Sequence, residues 1–258
     1  MSGMAALTWP LSEELSMYQR LGADLVGLPA TKLATHGWPA ALGEITLSEV
    51  EVEYLVHACQ SDPNDEVGWV REVRSMLTAL DQAAKLGART LYLTVGPSGS
   101  LTWEQAATLF VGRMRPVVER AGELGIALAL ENTSPVRSDL SFIHTVRDAA
   151  ELARVLDVGL CVDLYCCWQE RDLMTTLGAA VERIKLVQVS DFRLGTMAFP
   201  NRWVPGDGDL PLTRLLADVL GIGYGGVVDI ELIGPAIEAE GPENALRRAL
   251  AWTTAQLA

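Results

Sequence analysis

Short runs of apolar and β-branched residues alternate along this chain with longer segments in which apolar positions recur every three to four residues. That alternation is the pattern of repeated strand–helix units around a parallel sheet. Eight strands are expected, at residues 5–8, 23–28, 50–57, 90–95, 126–131, 158–163, 184–189 and 226–231. Helical periodicity fills most of the gaps, at residues 65–86, 102–124, 146–156, 210–220 and 242–257. About eight such units make a (β/α)8 TIM barrel, class α/β, and the 258 residues suit one domain spanning positions 1–258.

Punctuation supports this division. Thr102 precedes an acidic first turn, and Gly87, Gly125 and Gly178 stand where helices should stop. In the third strand, Glu51 and Glu53 interrupt the apolar run and belong either to the strand or to the loop before it. The longest stretch without periodicity, residues 190–209, follows the seventh strand. A loop of that length in a barrel belongs to the catalytic face.

Composition narrows the function. Hydrophobic residues form 49% of the chain and charged ones 21%, enough for a large core and too little polarity for disorder. A formal charge of −13 repels phosphate backbones and anionic lipid, so neither nucleic acid nor a membrane is an expected partner. The opening MSGMAALTWPLSEELS lacks a basic segment ahead of an apolar one, and no apolar stretch approaches membrane-spanning length. A cytoplasmic protein is expected. Cys59, Cys161, Cys166 and Cys167 form neither a disulfide framework nor paired zinc motifs and are read as reduced thiols, with Cys161 in the core.

Four oxygen-bearing side chains close four successive apolar runs: IALALE at Glu131, VGLCVD at Asp163, IKLVQ at Gln188 and GGVVDIE at Glu231. Parallel strands of a closed barrel all point one way, so residues that end them meet on one rim. Three carboxylates gathered there repel one another unless a cation sits among them. Three carboxylates and an amide are hard donors, which suit Mn²⁺ first and Mg²⁺ or Co²⁺ as alternatives, better than zinc.

These pieces resemble the xylose-isomerase-like TIM-barrel superfamily, the sugar phosphate isomerase/epimerase family, over essentially the whole chain. The resemblance rests on ALENTS with Glu131, CVDLYCCW with Asp163, KLVQVSD with Gln188 and Asp191, NRWVPGDGD with Arg202, and DIEL with Glu231. It implies that Glu131, Asp163, Gln188 and Glu231 hold one divalent metal, and that Glu131 and Glu231 exchange protons with substrate. Glutamine at 188, where many family epimerases carry histidine, is similar to the hydroxypyruvate isomerase and 3-dehydroshikimate dehydratase branches. Cys166 stands where many members have a substrate-contacting histidine.

The chemistry so implied is proton abstraction beside a carbonyl and an enediolate intermediate, on a hydroxy-ketone, sugar or sugar acid. Return of the proton gives epimerisation or isomerisation; loss of a β-hydroxyl gives a dehydratase. A barrel that binds a ligand without turnover is the third alternative. Arg202 is expected to grip an oxygen-rich part of the substrate, against the alternative of a surface salt bridge to Asp207 or Asp209. Arg137 is a weaker candidate for the same role. His57 is either a rim histidine with a structural partner or a substrate contact, and Cys166, Trp9, Trp168 and Trp203 are further candidates for the pocket wall. Three histidines and an acidic chain do not supply the histidine-rich, multi-zinc, basic site of an endonuclease IV-type barrel. The resemblance also implies a homo-oligomer, dimer or tetramer.

Overall fold

The computed structural model describes every residue except Asp24, Met197 and Ala198. Among the described residues seven strands form one sheet in chain order, every neighbouring pair parallel: β1 (Leu25–Pro29), β2 (Glu51–Ala58), β3 (Thr90–Thr94), β4 (Ala127–Glu131), β5 (Gly159–Asp163), β6 (Ile184–Val189) and β7 (Val227–Ile230). The first two residues bridge its edges. Ser2 donates its backbone N–H to Ile230 at 2.9 Å and pairs in parallel with Gly27, whose N–H donates to the Met1 carbonyl at 2.8 Å. The sheet thus curls into a TIM barrel.

The expected first strand, residues 5–8, is not one. Residues Gly3–Ala6 form a 3-10 turn capped by the Ser2 hydroxyl, because the pairing edges of β1 and β7 are already used by the two residues before it. The expected strand at residues 23–28 corresponds to β1, with Asp24 outside the described residues. Both uncertain glutamates lie within β2. Glu53 is buried at the lower end of the barrel and tied to Arg89, with Arg89 Nε donating to it at 2.7 Å, so its charge is compensated.

Helices wrap the sheet: α1 (Leu11–Leu21), α2 (Ala30–His36), α3 (Trp38–Ser48), α4 (Glu66–Leu86), α5 (Trp103–Leu124), α6 (Val146–Leu156), α7 (Leu164–Cys167), α8 (Leu173–Ala179), α9 (Leu212–Gly221), α10 (Pro235–Glu240) and α11 (Pro242–Leu257). Thr102 opens α5 with a reciprocal capping box to Gln105, and Asp65 caps α4. Gly87 and Gly125 end α4 and α5 in the left-handed conformation, as their placement predicts. Gly178 does not stop a helix; it lies inside α8, which runs one residue further.

Apolar packing falls into two layers with different consequences. Alternate strand residues face outward and join the helices in one continuous core that includes Leu28, Leu55, Trp69, Leu93, Phe110, Leu130, Val162 and Val187. The inward set is small: Tyr54, Tyr92, Ala129, Cys161 and Leu186 fill the barrel's lower interior, with Val56 and Val227 against them. Cys161 is core, as expected. Gly27 on β1 makes room for this plug, since a methyl there would lie 1.8 Å from the Tyr54 ring. Side chains alternate along a strand, so the next inward position above each plug residue belongs to the barrel mouth.

Candidate active site

Two residues above Ala129, Cys161 and Leu186 stand Glu131, Asp163 and Gln188; above Val227 stand Asp229 and then Glu231. All five are buried. Pairing aligns Asp163 with Gln188 and Gln188 with Asp229, one polar tier across three adjacent strands. Carboxylate oxygens of Glu131, Asp163 and Glu231 lie within 4.8 Å of one another. The four residues picked out at strand ends therefore do occupy one end and one face of the barrel.

Arg202 is the cation among them. Its Nη2 donates to Asp163 Oδ2 at 2.7 Å and lies 2.8 Å from Glu231 Oε2, while Nη1 reaches Asp163 Oδ1 at 3.2 Å and Ser190 Oγ at 2.9 Å. Its guanidinium also stacks 4.5 Å from the Tyr165 ring centroid. Neither Asp207 nor Asp209 is its partner: Asp207 pairs with Arg248, and Asp209 accepts the Leu194 N–H. Arg202 binds this chain's own acids, buried at 5% exposure, and reaches the cavity only along its edge.

The loop that delivers Arg202 is held by Asp191. Asp191 and Trp203 exchange backbone hydrogen bonds, and the Asp191 carboxylate accepts the N–H groups of Phe192, Gly206 and Leu210 at 2.8 to 3.0 Å. Gly208 is required for this: a methyl there would sit 2.3 Å from Asp191 Oδ1. The expected long loop at residues 190–209 is thus ordered around one carboxylate, with Met197 and Ala198 outside the described residues. Asn132 ties the neighbouring rim together, accepting the Asp163 N–H at 3.0 Å and donating to its carbonyl at 3.2 Å.

Electrostatically the cluster is under-neutralised. One guanidinium faces three carboxylates, and among the described residues no cation or hydrogen-bond donor pairs with Glu131. Burial, then the Glu231 and Asp163 charges, pushes the Glu131 carboxyl well above the usual range. Burial likewise lifts Glu231 to about 7, against the pull of Arg202. Three buried acceptors of these five residues lack a hydrogen-bond donor: Gln188 Oε1, Asp229 Oδ1, and Glu231 Oε2, whose contact with Arg202 falls short of hydrogen-bond geometry. Orphaned acceptors beside a surplus of negative charge are what a divalent cation would satisfy, and the hard-oxygen donor set fits one.

Above these acids lies a cavity of about 340 Å³. Glu131, Glu231, Tyr92, Cys166 and Arg202 form its floor and lower side; Met4, Leu7, Val56, Leu140, Phe199 and Ile233 give it a largely apolar wall. The Cys166 thiol donates to Asp163 Oδ2 at 3.0 Å, and burial raises its pKa well above normal, so it is a neutral wall group rather than a thiolate. Arg137 is at the mouth but engaged, bidentate with Asp139 at 2.9 and 2.8 Å.

Four sequence candidates fall outside this cavity. His57 faces the helices, since the inward positions of β2 are Val56 and Ala58; its Nε2 lies 2.9 Å from Glu72 Oε2 on α4. Trp9 lines a separate surface groove beside α2, and Trp168 packs against the outer core. Trp203 lies under the Arg193 guanidinium at 3.7 Å. Tryptophans following strand ends need not point inward, because loop backbone does not keep the strand's alternation. The aromatic groups that do line the cavity are Tyr92 and Phe199, and Asp229 is the polar residue that strand-end reasoning passed over. Its position two before Glu231 in VVDIE carried the signal, for it shares that residue's phase.

Comparison with known proteins agrees with this architecture. A structure of protein SMc04130 from Sinorhizobium meliloti 1021 superposes with a TM-score of 0.86 at 20% identity, covering 97% of this chain and 96% of that one. The IOLI protein with a bound zinc atom gives 0.82 at 19% identity over 99% and 96%, and the Escherichia coli 3-keto-D-glucoside 4-epimerase YcjR gives 0.77 at 19% over 95% and 94%. No curated protein sequence matches. The family model described as xylose isomerase-like TIM barrel matches residues 17–256, and with that match over nearly its full length the chain belongs to the xylose isomerase-like TIM-barrel family.

Proposed function

We propose that this protein is a divalent-metal-dependent isomerase or epimerase that moves a proton beside a carbonyl of a hydroxy-ketone, with Glu131, Asp163, Gln188 and Glu231 as the metal ligands. The observation that carries this reading is the convergence of three buried carboxylates and an unpartnered amide oxygen under one cavity, with too little positive charge to balance them. Membership of a family whose structural relatives include an epimerase and a zinc-bound protein supports it. The donor set favours Mn²⁺, then Mg²⁺ or Co²⁺.

A bound divalent ion would polarise a carbonyl and its neighbouring hydroxyl, acidifying the C–H between them. The chain's own groups do the rest. Glu231, just past the end of β7, is positioned to take up and return a proton, and Glu131, at the end of β4 with β5 and β6 between them, is its counterpart. Arg202 restrains Asp163 and Glu231 so that the latter meets substrate in one orientation. Cys166 and Tyr92 offer neutral polar contacts at the floor, and Met4, Leu7, Val56, Leu140, Phe199 and Ile233 exclude water above it.

That apolar wall sharpens the substrate class. A free sugar presents hydroxyls on every side, and beyond the Thr31, Thr94, Thr133 and Ser134 side chains the wall offers them few partners. A polar α-hydroxy-ketone head carrying an apolar ring or chain fits both ends of the cavity. The test is deuterium incorporation from heavy water by Mn²⁺-loaded protein, across ketoses, hydroxy-keto acids, and aryl- or cycloalkyl-substituted hydroxy-ketones. Exchange at the carbon beside the carbonyl, fastest with the apolar-substituted compounds, is the expected result. No exchange with any compound by metal-loaded protein would refute the proton-transfer reading.

A further inference from the structure

We infer that Asp229 is a positioning residue that locks the Gln188 side-chain amide with its oxygen toward the metal site. The inference rests on the metal-binding reading above and goes beyond it, since Asp229 is not among the ligands.

A glutamine amide has a donor end and an acceptor end, and only the acceptor end can hold a cation. Gln188 lies among groups that pull it both ways. Toward the barrel mouth stand Glu131, Asp163 and Glu231, three carboxylates that, before a cation arrives, attract the NH₂ end. If the amide turned that way, Nε2 protons would occupy the position a metal needs.

Asp229 opposes this turn. Gln188 Nε2 donates to Asp229 Oδ2 at 3.2 Å, and the two residues are register partners on adjacent strands, each 1% exposed or less. A carboxylate only accepts, so a reversed amide would set Oε1 against Asp229 and lose this bond. The second partner of Nε2, the Tyr92 hydroxyl at 3.4 Å, both donates and accepts and so cannot discriminate between the orientations. Asp229 supplies the preference.

Asp229 is itself fixed. The Tyr54 hydroxyl donates to Oδ2 at 2.8 Å, and the Met1 ammonium lies 3.4 Å from Oδ1. Tyr54 in turn is clamped in the interior plug, over the glycine that makes room for its ring. A chain of contacts therefore runs from the plug through Tyr54 and Asp229 to the Gln188 amide, and it leaves Oε1 buried with no donor. Partners behind a ligand that set its orientation are a recurrent device of metal sites.

The test measures Mn²⁺ binding to chelator-stripped full-length protein by the electron paramagnetic resonance signal of free Mn²⁺, with no substrate needed. Asp229→Leu should weaken Mn²⁺ affinity by about 10- to 100-fold, the usual effect of losing such a partner. Asp229→Asn keeps the volume but can donate as well as accept, so it no longer discriminates between the two amide orientations and should also weaken Mn²⁺ binding; wild-type affinity in this variant counts against the inference. In a Gln188→Met background, which has no amide to orient, Asp229→Leu should cause no further loss; a merely structural role would cost affinity in both backgrounds. If Asp229→Leu does not yield folded protein, Asp229→Ala removes the acceptor without added bulk and takes its place. Wild-type affinity in folded Asp229→Leu, or an equal loss in the Gln188→Met background, overturns the inference. A wild-type protein that binds no Mn²⁺ overturns the metal reading, and this inference falls with it.

Discussion

Two buried clusters among the described residues have the side chains to bind a metal, and they differ in how far their carboxylates are satisfied. His57, Cys59 and Glu72 lie outside the barrel wall, between β2 and α4, with potential ligand atoms within 4.8 Å of one another. Glu131, Asp163 and Glu231 lie inside the wall at the same mutual spacing. In the outer cluster the glutamate is saturated, although His57 Nδ1 has no partner: Glu72 pairs with His57 Nε2 and accepts the Gln60 and Ser61 N–H groups at 2.7 and 3.2 Å, which lowers its pKa despite burial. In the inner cluster the Glu131 and Glu231 carboxyls are pushed up, Gln188 Oε1 has no donor, and a cavity opens directly above. The outer set is a staple that holds the loop after β2 against α4. The inner set has surplus negative charge and unpartnered acceptors beneath a cavity, and composition alone does not distinguish the two.

The contrast breaks most severely at Glu231. Glu231→Gln should lower proton-exchange turnover by about 10²- to 10⁴-fold, the usual contribution of a positioned acid or base, while the circular dichroism spectrum stays native. Wild-type exchange in that variant removes Glu231 from the chemistry.

Next comes the inner cation. Arg202→Met leaves Asp163 and Glu231 without their counter-charge and should cost the metal-free protein about 3–5 kcal/mol in denaturant unfolding. Mn²⁺ should recover much of that loss, since it supplies charge to the same oxygens. Equal losses with and without Mn²⁺ would separate Arg202 from the metal site.

Metal addition itself compares the clusters. At about 100 times its Kd, an ion that binds only the native state adds about 2.7 kcal/mol, or about 5–10 °C in Tm for a protein of this size. Glu72→Gln, by breaking the staple, should lower the metal-free Tm by a few degrees, consistent with a loss of about 1–3 kcal/mol. It should leave the Mn²⁺-induced rise intact. A rise abolished by Glu72→Gln but kept in Glu131→Gln would move the metal to the outer cluster.

The pH dependence is smaller and has a definite sign. Glu131 and Glu231 hold protons more tightly folded than unfolded, so the metal-free protein keeps their full contribution below the ordinary carboxylate range. That contribution is lost as pH rises through about 7, the value for Glu231. Tm without metal should therefore fall between pH 5 and pH 8, and saturating Mn²⁺ should flatten or reverse the slope. The smallest effect is expected at Trp168→Phe, which lies in the outer packing and should leave KM unchanged.

Legibility followed the strand period. Strands β2 to β7 and helices α4, α5, α6 and α11 were readable within a residue or two, because each pairs a clear period with its own caps. Glu131, Asp163, Gln188 and Glu231 were readable for a related reason: a polar residue that ends an apolar run in a parallel barrel has few places to go. The first strand was misplaced because closure needs only two residues, Met1 and Ser2, too few to show any period. His57 is ambiguous in the sequence because a rim position does not state its face; one step of alternation sends it to Glu72 instead of the cavity. The tryptophans followed loop geometry that no periodicity describes.

The chain's own order of residues decided the barrel, the shared rim and the chemical type of the four oxygen donors, because backbone periodicity and parallel direction are local properties repeated along it. Only the folded arrangement decided that Arg202 turns inward to Asp163 and Glu231, that Asp229 stands behind Gln188, and that the cavity wall is apolar. Those outcomes depend on which distant side chains share a few ångströms of space, where charge, burial and an amide's two ends are weighed against one another.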